Sequence, residues 1–148
     1  MIDGMRDGST VPGFLMSEFP EQAADSARFH IVPAPMECTV SYGRGTSAGP
    51  AAILRASQQL EAYDGGSCPG AAGIHTAAVP DFGGLEAEDV LKVVERTVSD
   101  AVHREAVPIT LGGEHTVTWA AVRALVREKS LFGILHFDAH ADLRDSYE

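Results

Sequence analysis

Cysteine is scarce: Cys38 and Cys68 are the only two in 148 residues, and they stand far apart. That excludes a disulfide framework and a thiolate zinc site, and it fits a reducing cytoplasm. Long hydrophobic runs are missing too, since no stretch approaches the roughly twenty apolar residues that a membrane span requires. The opening MIDGMRDGSTVPGFLMSEF carries early acids and only a short apolar patch from Val11, too little for a signal-peptide core. Positive charge is in short supply, with 11 Lys and Arg against 21 Asp and Glu and a formal charge of -10. Such a balance repels phosphate backbones, so neither nucleic acid nor membrane is expected as a partner. The Gly-rich GRGTSAG lacks the spacing of a Walker loop or a dinucleotide turn. Ser41, Ser47 and Cys38 have no motif that would make any of them a nucleophile.

With 45% hydrophobic residues, the chain has the apolar content of an ordinary single globular domain. Residues 1–27 mix Gly, Pro, Ser and acids without periodicity and read as an N-terminal extension, whose Phe14, Leu15 and Phe19 could pack; the domain proper is expected over 28–148. FHIVPA is a short β-branched run ending in prolines, a first strand. Pro50 then opens a helix with Ile53, Leu54 and Leu60 at helical spacing. IHTAAVPDFGG suggests a weaker strand and loop. EAEDVLKVVERTVSDAVHREA is an amphipathic helix with an apolar stripe and first-turn acids that favour the helix dipole. VPITL predicts a buried strand ending at Gly112-Gly113, and HTVTWAAVRALVREK a third helix on which Trp119 and Val122 pack against the sheet. SLFGILHFDAH predicts a further buried strand. This alternation implies an α/β fold, a mostly parallel sheet with helices on both faces. In such sheets ligands lie beyond the carboxyl ends of the strands, where GGEH and DAHADLRD both fall.

In HFDAHAD the potential ligands Asp138, His140 and Asp142 recur at every second residue, so an extended chain would aim them to one side. From Asp138 to Asp142 such a chain spans about 13 Å, too far for one ion, so either the loop curls or two ions share the row, the latter being preferred. His115 adds an imidazole at the same edge. Taken singly, each of these polar residues could be a cap or a loop hydrogen-bonder; together, four of them are costly to hold without a common partner. Oxygen and imidazole donors without thiolate suit manganese well and zinc or iron tolerably. Two metals about 3.5 to 4 Å apart activate water at neutral pH, which makes hydrolysis the natural reaction class. His136, deeper in the apolar strand, is expected to support the ligands or the core and stands outside the ligand set. Arg44 is expected to be a solvated loop residue.

LGGEHTVT followed by ILHFDAHADLRDSYE resembles two successive signature motifs of the ureohydrolase (arginase/agmatinase) family, in the form seen in agmatinases. CTVSYGRGTSAGPAAILRASQQLEAYD is similar to that family's N-terminal loop and first helix, so the resemblance runs from about Phe29 to Glu148. It implies the N-terminal half of a three-layer arginase-like fold. Of the two Mn2+ ions in a complete active site, His115 and Asp142 would hold the first and His140 the second, with Asp138 on both. It also implies hydrolysis of a small cationic guanidino substrate to urea and an amine, with Asp142 handling protons. Agmatine, giving putrescine for polyamine synthesis, is the expected substrate, because Arg144 stands where arginases carry an Asn. Arginine, guanidinobutyrate, guanidinopropionate and formiminoglutamate are alternatives.

Family members run to about twice this length, and their second half supplies two more Asp ligands and a guanidinium-binding Glu. The end at Glu148 is therefore expected to be a truncation, leaving a segment that by itself binds metal weakly and is inactive. The resemblance implies a cytoplasmic homo-oligomer, a trimer or hexamer, when complete. Two other readings stay open: a non-catalytic fragment or subunit with the same fold, and a plain α/β binding domain whose polar residues are caps.

Overall fold

The structure, a computed structural model, describes residues 10–128 and 131–142. The first nine residues of the expected extension and the DLRDSYE segment, apart from its start at Asp142, lie outside the described residues.

Three strands form a parallel sheet in the order β2-β1-β3, with β1 at Phe29–Ala34, β2 at Ile74–Thr76 and β3 at Val107–Gly112. The central position of β1 explains its composition: from His30 to Ala34 every residue is buried, and alternate side chains serve opposite faces. Ile31 joins Leu54 of α1 (Gly49–Ala56) and Ile74 on one face. Val32 and Ala34 join α2 (Ala87–His103) and α3 (Val117–Glu128) on the other. Parallel strands joined by helices on both sides give the expected α/β fold.

α2 is positioned by its stripe of Val90, Val94, Val98 and Val102, spaced four apart and buried against the sheet and α3. Its Glu95 is buried at the α2–α3 contact, where Arg123 Nε lies 3.1 Å from Oε2 and Arg127 pairs with Oε1. A carboxylate taken out of water needs such partners. The N-terminal segment packs on the chain's own core. Leu15 is buried with Ile31, Leu54 and Ile74, with Val11, Phe14 and Phe19 against them. Its backbone is tied down as well: the Leu15 amide donates to Ser57 Oγ at 2.9 Å, and the Phe14 amide to Thr76 Oγ1 at 2.8 Å.

The structure corrects four expectations. Residues 131–138 form no strand: no ladder pairs them, and Leu135 and Phe137 are 81% and 88% exposed. A run that is apolar on both faces becomes a buried strand only when neighbours take up its amides and helices cover it, and among the described residues nothing does so. β3 is not buried but lies at the edge of the sheet, with Val107 and Ile109 exposed. In α1, Leu54 faces the core while Ile53 faces solvent, and Leu60 is exposed because the helix ends at Ala56 and gives way to a 3-10 turn over Ser57–Gln59 before the spacing reaches it. Trp119 points outward, with the Arg123 guanidinium 5.7 Å from its ring centroid, since α3 turns Val117, Ala120 and Ala124 to the core. Among the described residues, no helix is long and apolar enough to cross a membrane.

Candidate metal centre

The carboxyl ends of β1 and β3 are drawn together by close backbone contact. The Gly113 amide donates to Ala34 O at 3.2 Å and the Glu114 amide to Met36 O at 3.0 Å. A Cβ on Gly113 would stand 2.2 Å from Met36 O, so no side chain fits there. The Gly-Gly step of GGEH thus lets the chain turn from β3 into α3 while pressed against the loop that follows β1. His115 sits on that turn, its carbonyl accepting the Thr118 amide at 2.9 Å as α3 opens.

The second source of ligands comes back to the same edge. His115 Nδ1 lies 3.0 Å from Asp142 Oδ2, although 27 positions separate the two residues in sequence. The row is not extended. Asp138 Oδ1 accepts the His140 amide at 2.8 Å, and Asp142 adopts φ 51, a left-handed conformation that Asp tolerates. The loop therefore curls. His140 Nδ1 approaches Asp138 Oδ1 at 3.4 Å, and His136 Nε2 approaches Asp138 Oδ2 at 3.7 Å. The His140 amide, with neighbouring imidazoles adding to it, holds the Asp138 carboxyl below the usual carboxylate range.

His115, His136 and Asp138 each offer a donor atom, all within 4.8 Å of one another, which is the reach of a shared cation. His136 was expected in a core or supporting role. It is exposed and so outside the core, and its ring lies 5.6 Å from that of His115, because the segment carrying it is not in the sheet. Its place in the period-two row His136, Asp138, His140, Asp142 was the signal that could have found it. The donor set is nitrogen and oxygen, with both cysteines exposed and outside it. Such a set fits manganese or another borderline-to-hard divalent ion.

A cavity of about 1250 Å³ opens over these residues, with His115, His140 and Asp142 on one side and Thr39 to Tyr42 and Thr46 on the other. The far loop is shaped by Glu37, whose carboxylate accepts the Gly45 and Ser47 amides and the Ser47 hydroxyl, all at 2.9 Å. Those bonds, the Ser47 amide first, pull the Glu37 carboxyl down to about 2. Gly45, at φ 110, supplies a conformation that other residues rarely adopt. Arg44 is exposed on this loop, as expected. Neither Glu37 nor Glu114 was singled out from sequence, because a carboxylate that holds a loop has no periodic signature.

Residues 27–148 match the model of the Arginase family. The chain belongs to the arginase family. Among curated family members, an N(1)-aminopropylagmatine ureohydrolase of Synechocystis is 38% identical over 91% of the chain and 46% of that protein. An agmatinase of Bacillus cereus is 36% identical over 77% of the chain and 40% of that protein. The chain thus spans under half the length of these arginase-family relatives. The crystal structure of the agmatine ureohydrolase of Thermoplasma volcanium superposes with a TM-score of 0.73 at 29% identity, covering 94% of this chain and 45% of that one. A structure from Clostridium difficile, at 24% identity and TM-score 0.77, shares the fold. The sheet and helices described above are therefore part of an arginase-like fold, matching about half of the solved chains.

Proposed function

We propose that this arginase-family chain belongs to an agmatinase-type ureohydrolase, which hydrolyses agmatine to putrescine and urea at a binuclear manganese site. The observation that carries this reading is the meeting of His115 with Asp142 at 3.0 Å, beside Asp138 and His136, at the carboxyl edge of a parallel sheet. In this reading His115, Asp138, His140 and Asp142 would hold the metals. Metal ions held there would supply Lewis-acid activation of water. The chain's own part is to place donors and move a proton. Asp138 and Asp142 give the cationic guanidinium an anionic surround, and the exposed Asp142 carboxylate accepts the proton of the attacking water. His136, with its ring against His115, supports the cluster from one side.

The Synechocystis relative favours a second substrate, agmatine bearing an aminopropyl group on the nitrogen remote from the reacting carbon. Agmatinase-named relatives at 34–36% identity favour unsubstituted agmatine. The reaction class is the same for both. We further propose a cytoplasmic homo-oligomer, trimer or hexamer, as the working form.

Urea release by the complete gene product, dialysed and then reloaded with manganese, tests the proposal. The expected result is manganese-dependent release from agmatine or its aminopropyl derivative and little from arginine. Replacing Asp138 by Asn should cost more than the roughly 10- to 100-fold typical of residues outside the ligand set. Wild-type protein that retains no manganese, measured by elemental analysis, would sink the proposal.

A further inference from the structure

We propose that Glu114 is a positioning residue. Its carboxylate clamps the loop after β1 to the turn after β3, and so sets the cavity wall against which the substrate's tail lies. Glu114 is buried beside a cavity whose other charged residues are exposed, and it does not join them. It turns instead to Thr39, whose amide donates to its two oxygens at 3.1 and 2.8 Å and whose hydroxyl donates to Oε1. The Thr39 hydroxyl in turn lies 3.0 Å from Thr116 Oγ1, at the entrance to α3.

A buried carboxylate is costly without donors, and each donor found here comes from one loop residue across the site. The clamp thus fixes the distance between His115, the next residue in sequence, and the Thr39–Tyr42 wall. Asp142, with Asp138 behind it in the same curled row, makes the ligand side of the cavity anionic. The opposite wall is uncharged and carries the hydroxyls of Thr39, Tyr42 and Thr46. A substrate whose guanidinium sits among the carboxylates must run its other end toward these hydroxyls. Neutral oxygens of this kind accept hydrogen bonds from a primary or secondary ammonium, and the gap between the two walls measures the tail's length. This inference rests on the ureohydrolase reading for the substrate but not for the clamp.

Hydrogen exchange on the metal-free chain tests the clamp directly. Glu114→Gln and Thr39→Val should each raise exchange of amides 37–46 by about ten- to hundredfold, while α2 keeps its protection. The double variant should add little to either single one. Thr39→Val removes one hydroxyl without touching the buried carboxylate, so it reads the clamp even if Glu114→Gln loosens the whole body. Unchanged exchange over 37–46 in Thr39→Val, or full additivity, overturns the clamp.

In the complete gene product, Glu114→Gln should shift the ratio of KM values for agmatine and aminopropylagmatine about tenfold, a larger change than in the ratio of their kcat values. A loss in kcat that is equal for both substrates, with the KM ratio unmoved, overturns the tail-setting role. Wild-type protein that releases no urea from any guanidino compound defeats the ureohydrolase reading, and the exchange result then decides the clamp by itself.

Discussion

Two apolar regions of this chain meet opposite fates. β1 and residues 131–137 are similarly hydrophobic in sequence, yet β1 has a strand on each side and helices over both faces, whereas Leu131, Ile134, Leu135 and Phe137 stand exposed. Hydrophobicity alone does not make a buried strand. Backbone amides must also find partners, and in a parallel sheet those come from chain far away in sequence. The ligand row follows the exposed segment, so the metal centre joins a firmly braced side, GGEH on β3 and α3, to a lightly held one.

The strongest test of this contrast is a pair of substitutions read by urea denaturation of the chain. Leu54→Ala empties a fully buried site beneath β1 and should cost about 3 kcal/mol. Leu135→Ser should change stability by less than about 0.5 kcal/mol. Comparable losses at the two positions would break the contrast.

A smaller effect should come from the foot of the sheet. His30 Nε2 donates to Ala24 O at 2.8 Å, holding the N-terminal segment, and its ring lies 5.1 Å from that of His75. Burial lowers its pKa below the ordinary 6.5, with His75 and Arg104 acting in the same direction and the Ala24 bond and Asp25 opposing. The folded state therefore resists protonation. Stability from this group is fully present above 6.5 and is lost as pH falls below it, because the unfolded chain takes up the proton first. Denaturation midpoints should drop between about pH 7.5 and 5.5, and the drop should shrink in His30→Gln. An identical pH slope in the variant would remove His30 from the account.

The smallest effect is confined to one loop. With the Glu37 carboxyl at about 2 against an ordinary 4.5, the order it gives to residues 45–47 is present above 4.5 and is lost as pH falls toward 2. Backbone amide shifts of Gly45 and Ser47, followed by NMR, should titrate in that window and flatten in Glu37→Gln. A midpoint near 4.5 would show the loop unbraced.

Much of this was legible in the residues. FHIVPA is β1 as read, the valine stripe of α2 lies where its spacing put it, and VPITLG ends at the glycines that turn into GGEH. These elements are legible because periodicity and local turn chemistry report directly on backbone conformation and on which face is buried. Trp119 and Ile53 were misjudged because spacing tells which residues share a face, while only the packing partner tells which face is covered; Leu60 was misjudged because the helix stops short of it. His136 was read as a supporting or core residue outside the ligand set, and the core half of that reading failed because it assumed that the strand was formed.

What the sequence determined by itself was the kind of chemistry and its address: carboxylates and imidazoles in two motifs, each following an apolar run, matching one family's pattern. Tertiary structure alone decided which of them touch. It set His115 against Asp142, curled the Asp138 row, brought His136 to the cluster and turned Glu114 toward Thr39. Those are long-range contacts, settled by strand order and close backbone approach, and neither has a local signature in the chain.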